Sequence, residues 1–366
     1  MHGWRHPYLN KKNDTMIWAN FLHIYQPPNQ MDDILERIVN ESYRVLLRGL
    51  KEHPAARLTL NINGGLTDLM VRHGYRDVID DIALMVKRGR LELTETAKYH
   101  TFFPLLPESE IERQIHLNHQ TNRRYLGSIY KPAGFFPTEM AYHPKIARIV
   151  RRLGYRWMIA DEISANGKVG TTRYDTTYSI KGLGNFLIFF KEQRYSNLIA
   201  GAVVRSGPSL LEEMGVERSA HRYLLTAMDG ETFGHHRPGL EKLLFHIFDS
   251  PKFDKVLVSE IPKYFPKPAP IQPIPASWST NEEDIRRHQP FKLWWQKDNP
   301  IHRLQWQFTN LIIRAVQKLP TISVSYRRAR PLLDQALHSD HYWWASKYWW
   351  SLEVIEQGAK NLLDTA

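Results

Sequence analysis

Two acids follow short apolar runs directly: Glu139 in Gly134-Phe135-Phe136-Pro137-Thr138-Glu139-Met140, and Asp229 in Thr226-Ala227-Met228-Asp229-Gly230-Glu231-Thr232-Phe233-Gly234-His235-His236. A pair of carboxylates brought to one bond can divide its cleavage between them, one attacking or stabilising while the other moves a proton. Either acid alone has an equally good structural use as a helix cap, an ion-pair partner or a ligand to backbone N–H groups. The second segment adds two glycines that permit tight turns. Other polar residues stand near the ends of apolar runs in the same way: His23, Asn61 and Asn63, Glu92 and Glu95, and Arg194.

Seven runs rich in β-branched and aromatic residues, bounded by turn formers, predict strands over 17–25, 57–63, 91–96, 133–137, 157–161, 186–191 and 223–228. Between them, apolar residues three and four apart predict helices over 66–86, 109–126 and 145–153. Alternating strand and helix implies parallel strands joined by crossovers. In a β/α barrel the C-terminal strand ends converge on one mouth, where the scattered polar residues would meet. Residues 255–277 hold six prolines between Pro262 and Pro275, which predicts a long surface connection or a domain boundary. Beyond it, 299–318 and 330–363 read as helical, the second opening on Pro331 at a first-turn position. The expected architecture is an α/β fold: an incomplete (β/α)7 barrel over 1–275 and a C-terminal helical lobe over 276–366 that contributes to the cleft.

With 366 residues, 42% of them hydrophobic, the chain can bury a large core, and it has no apolar run long enough to cross a membrane. Its first seven residues lack the basic-then-apolar pattern of a secretory leader, so a cytoplasmic location is expected. The absence of cysteine removes disulfides and thiolate chemistry, which leaves oxygen and nitrogen groups to act. A net charge of +11 invites a nucleic-acid partner, but the basic residues are interleaved with acids over 51–57 and 249–263 and form no basic arm. No nucleic acid, membrane, cofactor or metal is expected as a partner, and oligomeric state is not legible. Trp343, Trp344, Trp349 and Trp350, four of eleven tryptophans, suit either packing of the helical lobe or stacking on the C–H face of a sugar.

Taken in order, these segments resemble glycoside hydrolase family 57. Leu22-His23-Ile24-Tyr25-Gln26-Pro27-Pro28 is similar to its first motif, and Glu92-Leu93-Thr94-Glu95-Thr96-Ala97-Lys98-Tyr99-His100 with Pro104-Leu105-Leu106-Pro107 to its second. The stretches around Glu139 and Asp229 resemble the third and fourth. Ser339-Asp340-His341-Tyr342-Trp343-Trp344 resembles the aspartate and aromatic site of the family's helical region. The resemblance implies an α-glucan-active glycosidase or 4-α-glucanotransferase of the retaining kind, with an α-linked oligosaccharide or polysaccharide as substrate. It implies Glu139 as nucleophile and Asp229 as general acid/base. It also implies that His23, Glu92, His100, Phe136, Arg194, Glu231, His236, Asp340 and Trp343 bind the sugar or orient the acids. Departures stand beside it: Tyr25 precedes Gln26-Pro27 where the family commonly has histidine, and Phe136 and His236 replace aromatic positions of other character.

Two other readings stay open on the residues alone. One is a metal-dependent carbohydrate deacetylase, for which His116 with His119 or His235 with His236 would supply ligands. The other is a glucan-binding protein that keeps the barrel without turnover.

Overall fold

The computed structural model describes residues 15–366, so the leader reading, which rests on residues 1–7, lies outside the described residues. Ten strands form one sheet: β1 (Met16–Ile24), β2 (Leu58–Ile62), β3 (Leu91–Glu95), β4 (Gly134–Phe135), β5 (Trp157–Asp161), β6 (Tyr178–Ile180), β7 (Leu187–Lys191), β8 (Tyr223–Asp229), β9 (Phe253–Val256) and β10 (Ala269–Ile271). Their order is β10-β6-β7-β5-β4-β3-β2-β1-β8, with β9 paired to the N-terminal half of β1. Every pair is parallel except β6 with β7. Central strands such as β1 (MIWANFLHI) and β5 (WMIAD) are buried at every residue, as expected where helices cover one face and the barrel interior the other.

The seven strands from β7 round to β8 make an incomplete (β/α)7 barrel. β7 and β8 form no ladder, and the gap between them is spanned by a single backbone bond from Glu192 N–H to Leu225 O, 2.8 Å. At the narrowest point, β4 is only two residues long and carries Gly134 against the indole of Trp157. A Cβ at position 134 would stand 2.0 Å from that ring, so no side chain fits without moving a buried tryptophan. Gly134→Ala is expected to cost about 1–3 kcal/mol through overpacking. Thermal melting reads it as a lowered midpoint; an unchanged midpoint would mean that the Trp157 ring yields freely.

The helices depart from the sequence reading in three places. The helix expected over 66–86 is two, Gly64–Arg72 and Arg76–Lys87, because Gly74 between them takes φ +83 and turns the chain. Pro331 lies inside helix Val324–Ala336, not at a first turn, and 330–363 breaks into that helix, Asp340–Trp343 and Leu352–Leu363. The proline-rich stretch opens on the last residues of β9 and contains all of β10; Pro270 is tolerated because β10 is the outermost strand and pairs on one side only.

The C-terminal helices pack directly against the barrel. Trp294 stacks on Phe102 with centroids 4.3 Å apart, and Trp306, Ile312, Leu333 and Tyr342 share one apolar cluster with Phe103 and Ile111. Arg330, 4% exposed, forks onto Glu110 at 2.7 and 3.1 Å and also bonds Asp334. Such buried pairs fix register more than they add stability, because desolvation offsets most of their attraction. Among the described residues no helix is long and apolar enough to cross a membrane.

Candidate active site

Strand register sets the floor of the mouth. His23 on β1 pairs with Asn61 on β2 on one side and with Asp229 on β8 on the other, while Asn61 pairs with Thr94 on β3. Four polar side chains therefore lie in one row across adjacent parallel strands. Asn61 Nδ2 donates to Thr94 Oγ1 at 3.0 Å, which turns its oxygen to His23 Nδ1 at 2.8 Å. His23 must then carry its proton on Nδ1. Burial holds its pKa well below the ordinary value, with repulsion from His100 acting the same way, so Nε2 is a bare acceptor. His100 Nε2–H donates to it at 3.1 Å, and His100 Nδ1 accepts from Ser339 Oγ at 2.9 Å. Burial pushes His100 down to about 4, so this chain is neutral at pH 7.

Glu139 enters from the loop after β4, with φ +63 at Glu139 and φ +48 at Met140. Left-handed backbone at two successive residues with side chains costs of order 1–3 kcal/mol each, and such strain concentrates at functional sites. The strained turn is held by Trp278, whose backbone N–H donates to Glu139 O at 3.2 Å and whose Nε1–H donates to Glu139 Oε2 at 2.7 Å. His100 Nε2 lies 4.0 Å from the other oxygen. Burial, reinforced by the charge of Asp229, pushes Glu139 up to about 8, against the pull of the Trp278 bond. Asp229, at the end of β8, is pushed up to about 6 by burial, with the Lys191 ammonium opposing. The charge of Asp229 raises Glu139, so the two carboxyls hold one proton between them near neutrality.

A second acid layer surrounds this pair. Glu231 accepts from Tyr43, from Gln26 Nε2 at 3.1 Å and from Tyr25 N–H at 3.3 Å. Burial and the charge of Asp229 nonetheless raise it to about 7. Asp340 accepts from Tyr25 Oη at 2.7 Å and lies 3.1 Å from His338 Nδ1. Burial works against its charge, but His338, His100 and Tyr25 together hold it at about 2, so it is an anion. Gly234 closes the loop beyond β8 at φ +101, where a Cβ would strike Glu41 O at 1.8 Å.

His23, His100, Glu139, Asp229, Glu231, His236, Asp340 and Trp343 thus line one cleft, open to solvent. Three residues expected there do not. Phe136 is fully buried beneath it, stacked between His23 at 4.6 Å and Phe21 at 5.3 Å, so it supports the floor and touches no ligand. Glu92, the second residue of β3, is in register with Thr59, two residues below the Thr94 row, and bonds Thr59 Oγ1 at 3.1 Å and Ser259 N–H at 3.2 Å. At about 3.3 Å per residue that puts it some 7 Å down the barrel, below the phenylalanine floor. Arg194 lies on helix Gln193–Ala200, half exposed and paired with Glu213 at 2.5 Å.

Tyr25, Gln26, Trp278 and Ser279 line the cleft without having been singled out. Tyr25 and Gln26 stood in the first motif, but Trp278 follows the proline-rich stretch and nothing local marks it. The paired histidines make other contacts: His119 Nδ1 bonds Glu95 Oε2 at 2.9 Å, and His235 Nδ1 bonds Glu41 Oε2 at 2.6 Å. Among the described residues no group of three or more His, Asp or Glu converges as a ligand set.

Comparison with known proteins bears on both sequence and fold. A family model described as Glycosyl hydrolase family 57 matches residues 6–248. An α-amylase of Pyrococcus horikoshii is 24% identical over 73% of this chain and 43% of its own length, and a 4-α-glucanotransferase of Thermococcus litoralis is 25% identical over 38% of this chain and 21% of its own. The chain therefore spans less than half the length of these curated relatives. The crystal structure of 4-α-glucanotransferase from Thermococcus litoralis superposes with TM-score 0.76 at 18% identity, covering 96% of this chain and 59% of that one. The branching enzyme structure from Pyrococcus horikoshii gives 0.72 at 14% identity, covering 97% and 89%.

Proposed function

Because the chain belongs to glycosyl hydrolase family 57, we propose that it cleaves or transfers α-linked glucose units by double displacement, with Glu139 as nucleophile and Asp229 as general acid/base. The observation that carries the reading is one cleft in which both carboxyls are largely withdrawn from water, the charge of one raises the other, and the two face opposed environments. Glu139 is gripped by an N–H donor, which favours its anion; Asp229 has no hydrogen-bond donor among the described residues. Related proteins act on α-glucans by name, as α-amylases and 4-α-glucanotransferases.

In the first half-reaction Asp229 gives its proton to the glycosidic oxygen while Glu139 attacks the anomeric carbon. The C–O bond to the leaving sugar breaks as the ester bond to Glu139 forms. Asp229, now ionised, takes a proton from water or from an acceptor sugar hydroxyl, which displaces Glu139 and returns the original configuration. In the free cleft the higher pKa belongs to Glu139, the reverse of the order this sequence needs. Bound sugar reverses it: positive charge developing at the anomeric carbon stabilises the Glu139 anion, and the sugar excludes water from Asp229. Tyr25 and anionic Asp340 are placed to hold sugar hydroxyls, and Trp343 to meet a pyranose face.

A pair that must hold one proton loses activity on both sides. As pH falls through about 6 both carboxyls become protonated, and as it rises through about 8 both become charged. kcat/KM should therefore be bell-shaped with limbs near those values; a flat profile across pH 5–9 contradicts a shared proton. The function itself is tested by incubating the protein with maltooligosaccharides and following products by NMR. First-formed α-anomers, or longer α-linked products, support it. β-anomers first, or no change in any α-glucan, refute it.

A further inference from the structure

Trp343 lines the cleft and also stacks on Trp349, with centroids 5.2 Å apart and ring planes 12° from parallel. Trp349 is 50% exposed, Trp350 56% and Tyr348 58%. Exposure on that scale removes packing as the reason for three adjacent aromatics, since a ring buried for stability would not leave half its surface in water. We propose that this loop, residues 344–351, is an outer glucan-binding platform that holds sugar rings beyond those seated in the cleft. It rests on the proposed action on α-glucans.

Two further observations carry it. The loop is built to hold its rings still: Asn299 Nδ2 donates to Ala345 O at 2.8 Å, Trp349 N–H donates to Ser346 Oγ at 3.1 Å, Ser351 N–H donates to Trp344 O at 3.0 Å, and Ala345 bridges Trp350. Rings fixed in advance lose little entropy when a ligand arrives, which is what a weak stacking contact needs in order to register as affinity. The ridge is also continuous with the cleft through the Trp343–Trp349 stack, so a chain leaving the cleft beside Trp343 runs onto Trp349. Lys292 over the Tyr348 ring at 4.5 Å and the Lys347–Asp298 pair at 2.6 Å add polar groups beside the rings, matching a sugar chain's alternation of C–H faces and hydroxyls.

The test compares the parent with Trp349→Ala, Trp350→Ala and Trp349→Phe on maltotriose and on amylose, and follows each protein's migration through gels containing amylose. For Trp349→Ala, KM for amylose should rise about tenfold while KM for maltotriose and both kcat values change little. Its retardation by amylose should disappear, and Trp349→Phe should restore most of both. Equal effects on the two substrates, or undiminished retardation in both alanine variants, overturn the platform. Light scattering that shows the alanine variants losing a dimer, with retardation unchanged, assigns the ridge to a second copy and also overturns it. If no α-glucan is turned over but retardation still follows Trp349 and Trp350, the platform stands and the proposed catalysis falls.

Discussion

Glu139→Gly is expected to turn over α-glucans at least about a thousandfold more slowly than the parent, a loss of about 4 kcal/mol in transition-state stabilisation, while melting at no lower a temperature. Removing a nucleophile removes the only group that can form the covalent bond, so kcat falls and KM for the same glucan moves little. Stability should hold because the parent residue is held against its own preferences. Glycine takes φ +63 without strain, and removal of the acid ends its repulsion with Asp229. The variant also leaves a space where a small anion fits. With azide and an activated α-glycosyl donor, attack from the vacated side should yield a β-glycosyl azide, detected by NMR. Undiminished turnover, or a rescued product of α configuration, would remove Glu139 from the nucleophile's place.

The second large effect concerns proton supply. Asp229→Asn should lower kcat on maltooligosaccharides by about 10²–10⁴, because an unactivated sugar alkoxide leaves only with a proton. A donor with a good leaving group needs no such help in the first step, so its initial burst should survive while steady-state turnover stays slow. With Glu139 the one carboxyl of the pair left to titrate, the pH profile should lose its bell shape and keep only the acid limb, on which Glu139 becomes protonated. Steady-state and pre-steady-state rates on both donors separate these outcomes; equal losses on both donors would make Asp229 a binding residue and no acid.

Much of this arrangement could be read from residues and spacing, and the misses have identifiable causes. The strand at 157–161 matches β5 at both ends because the apolar run Trp157-Met158-Ile159-Ala160 follows a tight turn and closes on the polar Asp161 just before a helix. Positions at strand ends converge for the same reason, since parallel strands of similar length bring their C-terminal residues to one side. Depth within a strand is harder to see. Glu92 and Glu95 both lie on β3, yet one stands near its start and the other ends it, and neither lines the cleft: Glu95 is fully buried against Asn118 and Tyr130. Arg194 follows β7 closely in sequence, but the helix that begins at Gln193 turns it outward.

Two further misses come from contacts distant in the chain. Trp278 reaches Glu139 across 139 positions, so neither hydrophobic period nor turn chemistry could pair them. The left-handed turn at Glu139 and Met140 is silent in the sequence because neither residue is glycine, and the Trp278 clamp that helps hold it comes from far along the chain. Phe136 shows the converse: its position beside Glu139 suggested contact with sugar, but strand alternation sends it down onto Phe21 and His23.

The most direct measurement is the mass of the protein after exposure to a ring-fluorinated α-glycosyl fluoride, followed by digestion and peptide mapping. Fluorine on the ring slows both steps, and the good leaving group favours the first, so a covalent intermediate accumulates. Double displacement through Glu139 predicts one sugar per chain, attached to the peptide that carries this residue and released when an acceptor sugar is added. A sugar on any other residue, or rapid release of fluoride with a β-configured product and no adduct, would contradict it.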